Sequence, residues 1–252
     1  MAKLADTTTD LAEFDSLLSQ DNQHQICSFL KSGANSSLIT ARTNAELELA
    51  KRFIMQKCQA KGEPVLITTP DETGKIKIDA TRAIIEKSIT TTDKKRWFLI
   101  MQAETMTASA QNSLLKLLEE PNSGVFLVLL SSAPNRLLTT VRSRTQTIKL
   151  RPIAKLALIT FLKTNYPHLD ATKQQQLLFL AQDNLQLLLE LIHNDELAGH
   201  HIQIATDARQ LLTAKPAEAL LIVKNYFNSR DEAITLVQLV LKIHHTIAIT
   251  KA

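Results

Sequence analysis

Glycine is scarce in this chain. Gly33, Gly62, Gly74, Gly124 and Gly199 are its five glycines in 252 residues, and they are widely dispersed. A glycine-rich turn that cradles phosphates with backbone N–H groups is therefore absent in standard form. Cysteine is scarcer still. Cys27 and Cys58 form no Cys-x-x-Cys pair, which excludes a cysteine-based zinc module and a disulfide framework. They read as two buried or idle thiols in a reducing compartment, and the expected location is cytoplasmic. The opening "MAKLADTTTD" has no apolar core, so no signal peptide is expected. The longest purely apolar run, "VFLVLL", is too short to span a membrane. Adjacent histidines, His200-His201 and His244-His245, point to different sides of a helix and make poor chelators. No metal site and no cofactor are expected.

What is present is charge, unevenly spread, and a regular alternation of elements. Residues 1–30 carry one basic and five acidic groups, whereas residues 31–150 carry eighteen basic and eleven acidic. A basic middle of this kind suits a polyanion such as DNA, or simply forms a solvated face. The segment 11–31 reads as a helix with Leu11, Phe14, Leu17 and Leu18 on one face. "SSLIT" (36–40) reads as a buried strand, and 44–58 as a helix with Asn44 as a possible cap. "EPVLITT" and "KIKID" read as short extended pieces, with Asp79 opening another helix. "RWFLIMQ" and "VFLVLLSS" are nearly continuous apolar runs. Strands apolar on both faces, alternating with helices, mark a parallel sheet covered on both sides. From 153 onward the pattern turns to leucine-rich helices.

Between the last two strands lies "QNSLLKLLEEPNSG", Gln111 to Gly124. Locally it is a helix that Thr107 can cap and that Pro121 cannot continue. Its surroundings say more. From Ile78 to Arg144 the order is helix, strand, helix ending in Leu-Leu-Lys-x-Leu-Glu-Glu-Pro (Leu114–Pro121), strand, Pro134, Leu137-Leu138, then Ser143-Arg144-Thr145. This run resembles the bacterial clamp-loader family of AAA+ proteins, and looks most like its delta-prime branch, in which the last motif is Ser-Arg-Cys.

The resemblance implies an α/β fold with an AAA+ type parallel sheet covered by helices, then a small helical lid and a short helical C-terminal domain. The implied boundaries are 1–152, 153–194 and 195–252. The departures from the family are informative. Where a phosphate-binding loop should follow "SLIT", this chain reads "ARTNAELELAKRF". The acidic pair that holds magnesium falls on Met101 and Gln102. Methionine cannot ligate magnesium, and glutamine cannot serve as a base; Glu104, two residues on, is a weak substitute. The family's cysteine-bound zinc insertion is missing, "AQDNLQLLLEL" lacks the nucleotide-sensing Gly and Arg, and the C-terminal part is short for a collar of helices.

The implied role is a non-catalytic subunit that helps set a sliding clamp on primed DNA. Arg144 would act in trans as an arginine finger on a neighbour's ATP, with Ser143 positioning it. The implied partners are gamma/tau-type ATPase subunits, a delta subunit and the sliding clamp, with DNA reached through the assembled complex. Two other readings stand beside it: an active ATPase with an eccentric loop, and a diverged AAA+ relic that binds DNA or acts as a scaffold outside any clamp loader.

Overall fold

Every residue of β3 (Arg96–Ile100) and β4 (Val125–Ser131) is buried, as their two-sided apolar sequences require. In the computed structural model, which describes residues 17–89, 94–182 and 184–250, these strands sit side by side in a five-stranded parallel sheet of order β2-β3-β4-β1-β5. The remaining strands are β1 (Ser36–Thr40), β2 (Val65–Thr68) and β5 (Gln146–Lys149). Register runs Leu66 to Phe98, Phe98 to Leu127, and Leu129 to Leu38 across the sheet. The outer strands β2 and β5 are only partly buried, so polar residues survive there.

The helices follow their capping chemistry. Helix α1 (Gln20–Ser32) begins at Ser19, whose hydroxyl accepts from the Asn22 N–H at 3.2 Å. It therefore starts later than the apolar pattern suggests: Leu17 and Leu18 are buried ahead of it, and Leu11 and Phe14 lie outside the described residues. Asn22 is buried and exchanges two hydrogen bonds with the backbone of Arg151, at 2.9 and 2.8 Å, tying α1 to the end of β5. Helix α2 (Asn44–Gln59) is capped by Thr43, not by Asn44 as the sequence suggests. The segment "KIKID" is not a strand: Ile76 forms one isolated bridge to Met106, and α3 (Ile78–Ile89) starts at once. Lys77 there pairs with Asp71 at 2.7 Å. Helix α4 (Ala108–Glu119) carries the Thr107 cap expected of it, with the Ala110 N–H donating at 3.2 Å.

The sheet's amino-terminal end is fastened by two residues of β3. Arg96 is buried, and its guanidinium donates to the carbonyls of Lys87 and Ser88 at 2.6 and 3.0 Å, which closes the end of α3. Trp97 stacks on Phe126 with ring centroids 4.4 Å apart, meets Phe29 edge-on at 6.0 Å, and donates its indole N–H to Glu63 at 2.7 Å.

Cys58 lies in the same region. Burial first, then the nearby Glu63 carboxylate, push its thiol up to about 12. The thiolate is the reactive form, so Cys58 is inert near neutrality. In native protein a thiol-specific disulfide reagent at about pH 8 is expected to label half-buried Cys27 and spare Cys58, with both labelled in denaturant. Equal rates of labelling in the native protein would contradict this.

Contacts divide the chain into a unit that runs to Phe161 and one that begins at Leu162, inside α6 (Lys155–Asn165). Helices α7 (Ala171–Ala181), α8 (Leu185–His193), α9 (Asp195–Leu211), α10 (Pro216–Lys224) and α11 (Arg230–Thr250) belong to the second. It has its own core, built on Ile204, Ala208, Tyr226, Leu236, Leu239 and Ile243. No described helix is long and apolar enough to cross a membrane.

Candidate functional site

Two places carry the residues singled out by sequence, one at the carboxyl ends of β1 and β3 and the other running from the segment after β4 to the amino end of β5. The first is the turn from β1 into α2. Only Ala41, Arg42 and Thr43 separate the strand from the helix. Thr43 is extended, and its hydroxyl accepts from the Glu46 N–H at 3.3 Å. The Glu46 carboxylate turns back and accepts from the N–H groups of Arg42 and Thr43, at 2.8 and 3.1 Å. This is a capping box, in which two orphan donors are satisfied reciprocally. Glu46 is only 4% exposed. The positive end of the α2 dipole, an ordinary place for an anion to bind, thus already holds a carboxylate from the chain itself.

At the same end of the sheet, with β4 between, β3 runs into Met101 and Gln102. The Met101 side chain is buried, and Gln102 adopts a left-handed backbone with φ 49°. A short 3-10 turn, Ala103–Thr105, follows. Glu104 does not stand free there. One of its oxygens accepts from the Ser132 N–H at 3.2 Å and the Ser132 hydroxyl at 2.7 Å, which ties this turn to the end of β4. Its other oxygen is buried and has no hydrogen-bond partner among the described residues.

The second place is where α4 meets the segment after β4. Gln111, 3% exposed, donates its amide to the Met106 carbonyl at 3.1 Å and accepts from the Leu138 N–H at 2.7 Å. Leu137 and Val141 join Leu114, Leu117 and Leu118 in one apolar cluster. So the Leu-Leu-Lys-x-Leu-Glu-Glu-Pro helix packs against α5 (Thr139–Arg142), which leads directly into Ser143 and Arg144. The turn is held by its backbone: Ser143 N–H donates to Thr139 at 2.9 Å and Arg144 N–H to Val141 at 3.2 Å. Thr145, standing where the resembled family has cysteine, closes it by donating its hydroxyl to the Arg142 carbonyl at 3.1 Å.

Arg144 is half-exposed but not loose. Its Nε donates to Glu119 Oε1 at 2.7 Å, and its Nη2 lies 2.5 Å from the same oxygen. Its Nη1 donates to the Thr140 carbonyl at 3.0 Å. Ser143 reaches Nη1 only at 3.5 Å and spends its own hydroxyl on the Thr140 carbonyl at 3.1 Å. The sequence reading gave no role of their own to Glu46, Gln111 and Glu119. The first had a legible signal in the Thr-x-x-Glu spacing; the other two have partners 27 and 25 residues away.

Comparison with known proteins adds to this geometry. A family model described as "DNA polymerase III, delta subunit" matches residues 16–154. The DNA polymerase III subunit delta' of Bacillus subtilis (strain 168) is 38% identical over 112 residues, 44% of this chain and 32% of that one. The subunit of the same name from Pseudomonas aeruginosa is 28% identical over 149 residues, 58% of this chain and 45% of that one. The alignments thus span less than half the length of these curated relatives. Among solved structures, a RuvB variant from Thermotoga maritima superposes with a TM-score of 0.52 at 13% identity, covering 86% of this chain and 72% of that one. A second RuvB variant gives 0.50, again at 13% identity, with 87% and 74% covered. At such identity the likeness speaks to fold: an AAA+ type parallel sheet covered by helices, followed by a helical region.

Proposed function

Since the chain belongs to the DNA polymerase III delta-subunit family, and is delta-prime-like within it, we propose that it is a non-catalytic clamp-loader subunit that lends Arg144 to the ATP site of a neighbour. The observation that carries this reading is the contrast between two helix-linked turns. At the head of α2, where a nucleotide's phosphates would sit, Glu46 fills the backbone donors. At the end of α5, Arg144 stands half-exposed on a turn that the backbone itself holds shut.

The first half of the contrast is electrostatic. A triphosphate needs fixed N–H donors, a lysine and a magnesium ion to compete with water. Here the Arg42 and Thr43 N–H donors are already bonded to a carboxylate, whose negative charge opposes an incoming phosphate. At about 4 Å two like charges repel by roughly 4 kcal/mol near a protein surface. Met101 and Gln102 offer magnesium no carboxylate, and Glu104 is engaged with Ser132. The partners proposed with this reading are gamma/tau-type ATPase subunits, a delta subunit and the sliding clamp, with DNA reached through the assembly. We assign 153–194 as the lid and 195–252 as a short collar-like part; Asn194, at that proposed boundary, caps the next helix by accepting from the Leu197 N–H at 2.9 Å.

Equilibrium titration of the isolated chain with a fluorescent ATP analogue and magnesium tests the non-catalytic half. No saturation is expected in the micromolar range. Saturable micromolar binding would restore the active-ATPase reading. Purification of the chain without any gamma/tau-type partner, under conditions where such partners are present, would favour the relic reading.

A further inference from the structure

Glu119 breaks a local rule. It is the last residue of α4, where the helix dipole is negative and a carboxylate is unfavourable. Such exceptions concentrate at functional positions. The companion residue Glu120 has no ion-pair partner among the described residues, whereas Glu119 is bound to Arg144. Exposed ion pairs of this sort contribute little to stability, because water screens them and two long side chains lose freedom. The geometry nevertheless does something specific.

A guanidinium is planar and carries five N–H groups, in a fixed fork. The Nε–H and the adjacent Nη2–H form one edge, and both meet Oε1 of Glu119. One Nη1–H is taken by the Thr140 carbonyl. Nη1 has one further neighbour, the Ser143 hydroxyl at 3.5 Å, a contact too long to compete with a charged acceptor, so the end of the fork can present one N–H from each Nη. That pair matches two oxygens of a tetrahedral phosphoryl group. The Arg144 side chain is 36% exposed and that of Glu119 48%, so the pair lies at the surface.

We propose that Glu119 is a positioning residue, resting on the reading of Arg144 as a finger: with the Thr140 carbonyl it holds the side edge of the guanidinium and aims its end pair outward, at an oxyanion bound by another chain. The backbone below is fixed independently, since the Ser36 hydroxyl at the start of β1 donates to the Arg144 carbonyl at 2.8 Å. Glu119 therefore sets the direction of the side chain and not the fold of the turn. It also explains why the Glu-Glu-Pro block and the Ser-Arg turn occur together: α4 ends where its last carboxylate can reach Arg144.

The test uses the reconstituted complex with Glu119→Ala, Glu119→Gln, Glu120→Ala and Arg144→Ala, and the Glu119→Ala, Arg144→Ala double variant. Misaiming a group by about an ångström can cost on the order of 10²-fold in rate. Glu119→Ala is therefore expected to lower kcat about 10- to 100-fold at the completed site with little change in KM. Glu119→Gln should recover part of the loss, because its amide oxygen still accepts from Nε–H. Glu120→Ala should match the unmodified complex. In the Arg144→Ala background Glu119→Ala should do nothing further, since the residue it aims is gone. If Arg144→Ala lowers kcat and Glu119→Ala does not, the positioning role is overturned while the finger reading stands. Additive losses would overturn it too. If Arg144→Ala itself has no effect, the finger reading fails, and the aiming role with it.

Discussion

Replacing Arg144 by alanine is expected to lower ATP turnover at the neighbouring site it is proposed to complete by about 10³-fold or more, the range of arginine fingers in related phosphoryl transfer, while the chain folds and the complex assembles. The rate effect comes from charge. As the γ-phosphoryl group leaves, negative charge spreads over its oxygens, and a guanidinium held beforehand at that position stabilises the charge without reorganising. Alanine removes the cation and leaves only water to replace it. The stability effect is small for a different reason. Arg144 and Glu119 are both half-exposed, and a pair of this kind contributes about 0–1 kcal/mol. The turn itself depends on backbone bonds from Ser143, Arg144 and Thr145, which alanine keeps. Lysine should rescue poorly, as a point charge without the planar fork. Arg142→Ala is the control and should do much less, because Arg142 lies within α5 and, among the described residues, its Nη1 reaches only Asn135, at 3.5 Å. The measurement is single-turnover and steady-state ATPase of the complex, in the presence of clamp and primed DNA. Wild-type turnover in a fully assembled Arg144→Ala complex would return Arg144 to the surface.

The second large effect is on stability. Trp97→Ala is expected to cost about 3–5 kcal/mol, the usual range for emptying a buried aromatic site. That is a large fraction of the roughly 5–15 kcal/mol that holds a domain together. Trp97 is 1% exposed, lies in a strand buried on both faces, and is packed between Phe126 and Phe29. The surroundings cannot close over the void, because β3 is fixed by β2 on one side and β4 on the other. Glu63 loses its indole partner but is only half-buried and can turn to water, so the cavity dominates the loss. Trp97→Phe should be milder, keeping a ring against Phe126. Denaturant titration followed by far-UV circular dichroism reads the difference, and a loss under about 1 kcal/mol for the alanine variant would mean the site collapses after all.

Some of this was decided by sequence alone. The runs "RWFLI" and "VFLVLLS" could only be strands buried on both faces, because no helix-period or half-exposed strand pattern fits them. Thr107 and Pro121 bounded α4 from either side, through a hydroxyl that caps and a ring that cannot continue. The Thr43-x-x-Glu46 spacing held the capping box, although Asn44 competed for the cap until the extended backbone of Thr43 settled it. All of these are near-neighbour effects, set within one turn or one strand of the residue concerned. Tertiary structure decided the rest. "KIKID" has strand-like alternation yet meets only Met106, since an extended segment becomes a strand only if a neighbour offers its backbone. The strand order, the Asn22 bonds to Arg151 across 129 residues and the Gln111 bond to Leu138 were equally invisible. So was the pairing of Glu119 with Arg144, which sequence gave as two separate motif residues. Periodicity and caps act along the chain, whereas a side chain finds a distant partner only after parallel crossovers have brought the ends of the strands together.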